Sequence, residues 1–404
     1  MDLVKKAKGT YHFLLAYIGA VIYRHPSREL FVIGVTGTKG KSTVLEILAA
    51  GLEAAGNKVA LSSSVRTKIG AYSKINQSGN TMPGRFFLQD LMRRAVKADC
   101  QFALIEVTSE GVRQHRDRFI DFDVAAFTNL HPEHIESHGS FEKYREAKLD
   151  FFRNVDKFSK KHPKWFFVNG ENENSKFFAE VADNQAITSF KKDVEGYELS
   201  PALIGDFNRE NVAIAEAILK TVGVTELVRR RTFKTFPGVP GRVEFVKQEP
   251  FAVVVDYAHT PESLRTIYGT LKKELKPHNL ICVLGSAGGG RDKWKRPEFG
   301  KIASEYCSRI ILTNEDPFDE DPMEIINEIE QGISPAKKDK SLKILDRREA
   351  IRTAIAGAKK GDVVIMTGKG SETYIRVAKG KRVPWSDRKV SEEVLAEMKK
   401  NNES

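Results

Sequence analysis

The run Thr36-Gly37-Thr38-Lys39-Gly40-Lys41-Ser42-Thr43 has the residue types that hold phosphate. Glycines let backbone N–H groups close around phosphate oxygens, and a helix starting there adds a partial positive charge. Lys41 would reach the β- and γ-phosphates, and Ser42 would ligate Mg²⁺. Gly37, Thr38, Lys39, Gly40, Lys41, Ser42 and Thr43 are therefore candidate nucleotide contacts. The common G-x-x-x-x-G-K-[ST] spacing asks for glycine at 35. Val35 stands there, between Gly34 and Gly37, so the loop is a variant. The bland alternative is a tight strand-to-helix turn that binds nothing.

Such a loop works only at the end of a buried strand that feeds a helix. Phe31–Val35 is a short β-branched run, and Thr43–Ala55 places Val44, Leu45, Ile47, Leu48 and Leu52 at helical spacing. Strands are expected at Val59–Leu61, Phe102–Val107, Val124–Thr128 and Trp165–Val168, and helices at Phe141–Phe152 and Asn208–Leu219. That alternation predicts a parallel, doubly wound sheet. After the linker-like Pro237-Gly238-Val239-Pro240-Gly241, buried-type strands recur at Ala252–Asp256, Leu280–Leu284, Arg309–Thr313 and Asp362–Thr367. The fold class is α/β: a phosphate-loop, doubly wound parallel sheet followed by a Rossmann-like α/β domain. The expected division is 1–30, an apolar and basic helical segment; 31–237, a central nucleotide-binding domain; and 238–404, a C-terminal domain.

The chain has 404 residues, 41% hydrophobic and 29% charged, which suits two or three folded domains and excludes wholesale disorder. A net charge of +11 suits an anionic partner. The charge is dispersed and no aromatic–basic module is evident, so nucleic acid is not the expected one. Cys100, Cys282 and Cys307 lie far apart without C-x-x-C spacing. A disulfide scaffold and a zinc ribbon are disfavoured, and the cytoplasm is the expected compartment. Tyr11–Tyr23 is apolar, flanked by Lys5, Lys6, Lys8 and Arg24, and short of the ~20 residues a spanning helix needs. It reads first as a packing helix, second as an interfacial helix on the inner membrane leaflet, and third as a signal anchor.

The loop resembles the ATP loop of the Mur ligase superfamily, ATP-dependent amide-forming ligases of cell-wall peptide and folyl-polyglutamate synthesis. Further blocks follow in that family's order. Ile105-Glu106-Val107-Thr108-Ser109 resembles its E-V-S-S strand end. Thr128-Asn129-Leu130-His131-Pro132-Glu133-His134 with Ser137-His138-Gly139 resembles T-N-L-x-x-D-H-L-D-x-H-G, and Gly238–Glu244 its G-R-x-E block. Asp256-Tyr257-Ala258-His259-Thr260-Pro261 is identical to D-Y-A-H-T-P. Gly368-Lys369-Gly370-Ser371-Glu372 resembles G-K-G-H-E, and Ser386-Asp387-Arg388 its S-D-R. The resemblance runs from about Phe31 to about Leu395 and is closest to the UDP-N-acetylmuramoyl-tripeptide synthetases.

It implies ATP and Mg²⁺, an acyl-phosphate intermediate and an incoming amino acid in peptidoglycan precursor synthesis. It implies Lys41, Glu106, His134 and Lys148 as the catalytic set. Ser42, Glu106 and His134 would hold metal, with Lys148 as a carbamate. Asn129, Asn208, Asn211, Arg242, Asp256 and His259 would join the loop at the nucleotide. From the residues alone, Glu106 could equally be a capping carboxylate, Lys148 a solvated helical lysine, and Asp256 with His259 a structural capping pair. Thr81-Met82-Pro83, Thr108 and Ser109 would hold the acceptor. Asn314, Asp316, Pro317, Phe318, Gly368 and Glu372 would surround the amino acid.

The chain departs from the family in four places. Phe318 occupies the arginine position of D-N-P-R, whose arginine grips the distal carboxylate of meso-diaminopimelate. Asp316, Asp319, Glu320 and Asp321 stand close by, so a cationic side chain such as lysine is expected there. Ser371 replaces the histidine of G-K-G-H-E, and Glu110 that of S-S-H. Only residues 1–33 precede Gly34, where the family carries a uridine-nucleotide domain, so a separate UDP-binding partner, a different mode of binding or another acceptor is implied. The expected partners are a muramoyl-peptide or related anionic acceptor and an amino acid, with peripheral inner-membrane contact through 11–23. The rival functions are ligation to a folate, poly-amino-acid or atypical wall-peptide acceptor, and non-catalytic nucleotide binding.

Overall fold

The computed structural model describes residues 2–76, 80–131, 139–183, 185–290 and 292–403. The chain divides into two units, Met1–Phe236 and Pro237–Ser404.

The first unit is built on an eight-stranded sheet. Its strands are β1 (Phe31–Thr36), β2 (Val59–Ser62), β3 (Arg66–Ile69), β4 (Tyr72–Ile75), β5 (Phe102–Glu106), β6 (Val124–Phe127), β7 (Trp165–Asn169) and β8 (Ile187–Ser189). The order across the sheet is β4-β3-β2-β5-β1-β6-β7-β8. From β2 to β8 neighbours are parallel, while β3 and β4 add an antiparallel edge. The central strands are buried on both faces, as their continuous apolar sequence requires. Register sets the site: Val35 lies opposite Glu106, and Thr36 opposite Phe127. The carboxyl ends of β1, β5 and β6 therefore open side by side, where α/β sheets bind ligands.

Helix α1 (Asp2–Ile22) precedes β1, α2 (Lys41–Ala54) follows the phosphate loop, and α3 (Arg85–Lys97) and α4 (Ser109–Arg113) flank β5. The helix Phe141–Phe158 packs on β1 at Gly34, where an added Cβ would stand 2.4 Å from the Phe151 ring. Glycine at 34 thus lets this helix approach closely, and Lys148 rides on it toward the loop.

The second unit has a six-stranded sheet in the order β13-β12-β11-β14-β10-β9. These are β9 (Glu244–Lys247), β10 (Ala252–Asp256), β11 (Leu280–Leu284), β12 (Arg309–Leu312), β13 (Ser341–Lys343) and β14 (Val363–Thr367). Only β9 runs antiparallel, at the edge. A small hairpin follows, β15 (Tyr374–Arg376) with β16 (Arg382–Pro384).

The expected strands and helices are present, with helices longer than expected. Sequence patterning missed β3, β4 and α3, and also the short elements β8, β9, β13, β15, β16 and α4. The hairpin strands are only half-buried or exposed, so they carry no apolar run. One cysteine pairing was not legible in the sequence. Cys282 on β11 and Cys307, which ends the helix Lys295–Tyr306, are disulfide-bonded and buried, while Cys100 is free. A separation of 25 residues hides the pairing in sequence, because a strand-to-helix crossover closes it.

Candidate active site

In the first unit the loop is clamped from several sides. Gly40 starts α2 with φ 82°, and a Cβ there would lie 2.2 Å from Asn211 Oδ1, so glycine serves both the turn and the approach of the helix Asp206–Thr221. Asn211 Nδ2 donates to Asn208 Oδ1 (3.2 Å), which ties both asparagines to the loop's edge. Lys39 N donates to Asn129 Oδ1 (2.9 Å), Thr38 N to Asn129 O (2.8 Å), and Thr128 Oγ1 to Lys39 O (2.6 Å). Thr43 is buried in the first turn of α2.

Chemistry-bearing side chains converge on this loop. Lys41 Nζ donates to Gly37 O and Thr38 O, both at 3.0 Å, and stands 3.8 Å from Glu106 Oε1. Ser42 Oγ donates to Glu106 Oε2 (2.9 Å) and hydrogen-bonds Ser64 Oγ (2.9 Å). Lys148 is 2% exposed; its Nζ donates to Gly37 O (2.8 Å) and lies 4.7 Å from the centre of the Tyr144 ring. His134 lies outside the described residues.

Sequence reasoning missed Ser64, whose N–H donates to Glu106 Oε2 (2.7 Å), and Tyr144, whose hydroxyl meets Thr38 Oγ1 (3.2 Å). The signal for Ser64 was available: a serine run, Ser62-Ser63-Ser64, closes a strand two places from β1.

The candidate acceptor residues also come together. Arg116 Nη1 donates to the carbonyl of buried Met82, in the Thr81-Met82-Pro83 loop. Arg116 Nη2 holds Gln114 Oε1 (2.7 Å), and Arg85 Nη2 donates to Gln114 O (2.7 Å). Thr108 caps α4 by accepting from Gly111 N (3.0 Å), with buried Ser109 beside it. Burial lowers the Arg85 and Arg116 pKa values, and for Arg85 the neighbouring Arg116 charge adds to it. Among the described residues neither forms a salt bridge, so this corner favours an anion. Sequence reasoning missed both arginines.

In the second unit Asp256 accepts from Val243 N and Ala258 N, both at 2.8 Å. Its carboxylate thereby fixes the turn that carries Arg242. The Arg242 guanidinium lies 4.2 Å from the centre of the Tyr257 ring, and His259 Nδ1 meets Tyr257 O (2.8 Å). Burial, with Glu372 nearby, pushes the Tyr257 hydroxyl up to about 12.

The candidate amino-acid loop is less anionic than its sequence suggests. Asp316 Oδ1 accepts from fully buried Lys369 Nζ (2.7 Å), which also donates to Glu372 (2.6 Å). Asp321 caps the following helix through Met323 N (2.7 Å), and Asp319 accepts from Lys379 N (2.7 Å). Glu320 is held down to about 2, chiefly by its bond from Arg296 (3.0 Å). Arg347 Nη1 donates to Asn314 O (3.0 Å), and Glu320 N to Pro317 O (3.1 Å). Arg376 stands 5.5 Å from the centre of the Phe318 ring and 4.0 Å from Asp316, with 35% of its side chain exposed. Glu315 packs against Gly368, and burial pushes its carboxyl up to about 7. The acids expected to repel a carboxylate are thus engaged, and a guanidinium stands over Phe318.

The model of the Mur ligase middle domain matches residues 35–219, and that of the Mur ligase glutamate ligase domain matches residues 241–370. The UDP-N-acetylmuramoyl-L-alanyl-D-glutamate–2,6-diaminopimelate ligase of Halalkalibacterium halodurans is 35% identical, over 95% of this chain and 82% of its own. The chain belongs to the Mur ligase family. The UDP-N-acetylmuramyl-tripeptide synthetase of a Roseiflexus species is 34% identical over the same shares. A solved UDP-N-acetylmuramoyl-L-alanyl-D-glutamate–2,6-diaminopimelate ligase superposes with TM-score 0.63 at 27% identity, covering 92% of this chain and 79% of that one. The folylpolyglutamate synthase of Mycobacterium tuberculosis, complexed with ADP and AMPPCP, shares the fold: TM-score 0.67 at 15% identity, over 87% and 91% of the two chains. This Mur ligase is an ATP-dependent amide-forming ligase of peptidoglycan precursor synthesis.

Proposed function

We propose that this Mur ligase adds 2,6-diaminopimelate to the D-glutamate carboxylate of a UDP-N-acetylmuramoyl dipeptide, in the cytoplasm. The observation that carries the reading is the gathering of Lys41, Ser42, Glu106 and Lys148 on one loop at the end of β1. The acceptor carboxylate attacks the γ-phosphorus of ATP, an acyl phosphate forms and ADP leaves. The amine then attacks the carbonyl carbon, phosphate departs and the nitrogen gives up a proton. No enzymic nucleophile is needed, so positioning and charge do the catalysis.

Lys41 exchanges loop carbonyls for the β- and γ-phosphates. Asn129, Asn208 and Asn211 set the nucleotide edge of the loop, and Arg242 and His259 are assigned as nucleotide contacts. Asp256 is assigned as the residue that positions Arg242. Thr81, Met82, Pro83, Thr108 and Ser109, with Arg85 and Arg116, hold the anionic acceptor.

Ser42, Ser64 and Glu106 present only oxygen donors in contact with one another, a set that fits Mg²⁺. With His134 they would hold it, and the ion would neutralise phosphate charge. Lys148 is assigned as a carbamate, formed when its neutral amine adds to CO₂ and loses a proton. Its burial within hydrogen-bond reach of the loop, through Gly37 O at 2.8 Å, supports that assignment.

The choice of amino acid rests on Arg376 and on the engaged state of the acids around Phe318. The part-exposed Arg376 guanidinium, whose ion pair with Asp316 is long at 4.0 Å, would meet a distal carboxylate, and the names of the relatives point the same way. Purified protein with ATP, Mg²⁺, the dipeptide acceptor and each amino acid, read by mass spectrometry, tests both halves. Product with diaminopimelate supports the reading, and product with lysine alone overturns the choice of amino acid.

A further inference from the structure

Helix α1 is packed inside out. Its inner face is small: Ala16, Gly19 and Ala20 are buried, with Gly19 against Phe86 of α3. Its outer face carries Tyr11, Leu14, Tyr17, Ile18, Val21 and Ile22, each between 44% and 60% exposed. At helical spacing these form one continuous apolar stripe. A surface helix of a soluble domain shows the opposite pattern, so the stripe needs a cover.

Charge indicates what covers it. From Leu3 to Arg28 there is no acidic residue, and lysines at 5, 6 and 8 precede the stripe while Arg24 follows it. No helix among the described residues is long and apolar enough to cross a membrane. An apolar stripe with tyrosines, bounded at both ends by cations, matches a bilayer surface, where apolar side chains sink below the headgroups and cations meet lipid phosphates. A second copy fits less well. Both ends of α1 are cationic, so any pairing through this face sets like charges together.

We propose that α1 lies flat on a bilayer containing anionic lipid and docks the first unit there. The consequence reaches the acceptor loop. Arg85 Nη2 is 3.0 Å from His12 Nδ1 of α1, Phe13 packs on Phe119, and Arg116 of the same segment holds Met82 O. A docked α1 therefore presents the acceptor corner beside the membrane surface.

The test is co-sedimentation of the full chain with phosphatidylcholine vesicles, with and without phosphatidylglycerol, at low and high salt. The comparison is with the double variant Ile18→Glu and Ile22→Glu. The wild type should partition to phosphatidylglycerol vesicles roughly tenfold or more above the variant, less so at high salt and little to phosphatidylcholine alone. Equal binding of both proteins, or no binding by either, overturns the proposal. So does a dimer of the wild type, seen by light scattering, that the variant abolishes without any lipid binding. The variant should keep wild-type turnover with a soluble acceptor, which shows it is folded. Binding and turnover are read separately, so a failed ligase assay leaves this inference standing and a failed vesicle assay leaves the ligase reading standing.

Discussion

Lys41 and Lys148 donate to the same acceptor, the carbonyl oxygen of Gly37, from two different helices. Lys41 also stands 3.8 Å from Glu106 Oε1, so the shared carbonyl joins amines from two helices, one of them beside a carboxylate. Arrival of a triphosphate draws Lys41 away, and conversion of Lys148 to a carbamate reverses its charge. The expectations for both lysines follow from this shared contact.

Lys41→Ala should lower kcat by more than tenfold while leaving thermal stability close to wild type. The ammonium touches loop carbonyls rather than the core, and each tenfold is ~1.4 kcal/mol of barrier. Steady-state kinetics beside a melting curve checks this; a variant with over a tenth of wild-type kcat removes Lys41 from the reaction.

Lys148→Ala should be inactive and partly rescued by acetate or another short carboxylate. A fully active variant in carbon dioxide-depleted buffer would eliminate the carbamate.

Arg347 and Asp387 form a buried two-bond ion pair (2.8 and 2.7 Å), and Arg347 also holds Asn314 O and Thr367 O. Asp387→Ala leaves a buried guanidinium uncompensated, at a cost of ~3–5 kcal/mol. Chemical denaturation should show that loss; a loss below about 1 kcal/mol would mean the pair is dispensable.

Glu315 gives a pH dependence of known sign. Its folded carboxyl titrates at about 7 against an ordinary 4.5, because burial disfavours its charge. Between those values the folded state binds more protons than the unfolded one, so stability falls as pH rises through that window. Buried Asp117 in the first unit, pushed to about 7 from 3.8, acts in the same direction. The melting temperature should fall from about pH 5 to about pH 8, and Glu315→Gln should flatten the slope. A slope unchanged in the variant would exclude Glu315 as its source.

The parts of this structure that sequence revealed are those with a local signal. Val32–Val35 and Ala252–Asp256 are apolar runs between turns, and Gly40-Lys41-Ser42 is a contiguous motif at a strand end. The parts it hid depend on contacts between distant residues. Ser64 meets Glu106 because β2 and β5 pair, Arg376 reaches Phe318 through the turn from β14 to β15, and Cys282 meets Cys307 across a crossover. The acids at 316 to 321 looked like a negative field because their partners, Lys369, Arg296 and Lys379 N, lie elsewhere in the chain.

Phosphate release in the presence of ATP, Mg²⁺, UDP-N-acetylmuramoyl dipeptide and diaminopimelate, each omitted in turn, tests the ligase assignment most directly. Release should require all four, with a product heavier than the dipeptide acceptor by one amide-linked diaminopimelate. Release independent of acceptor and amino acid, or none in the complete mixture, would contradict it.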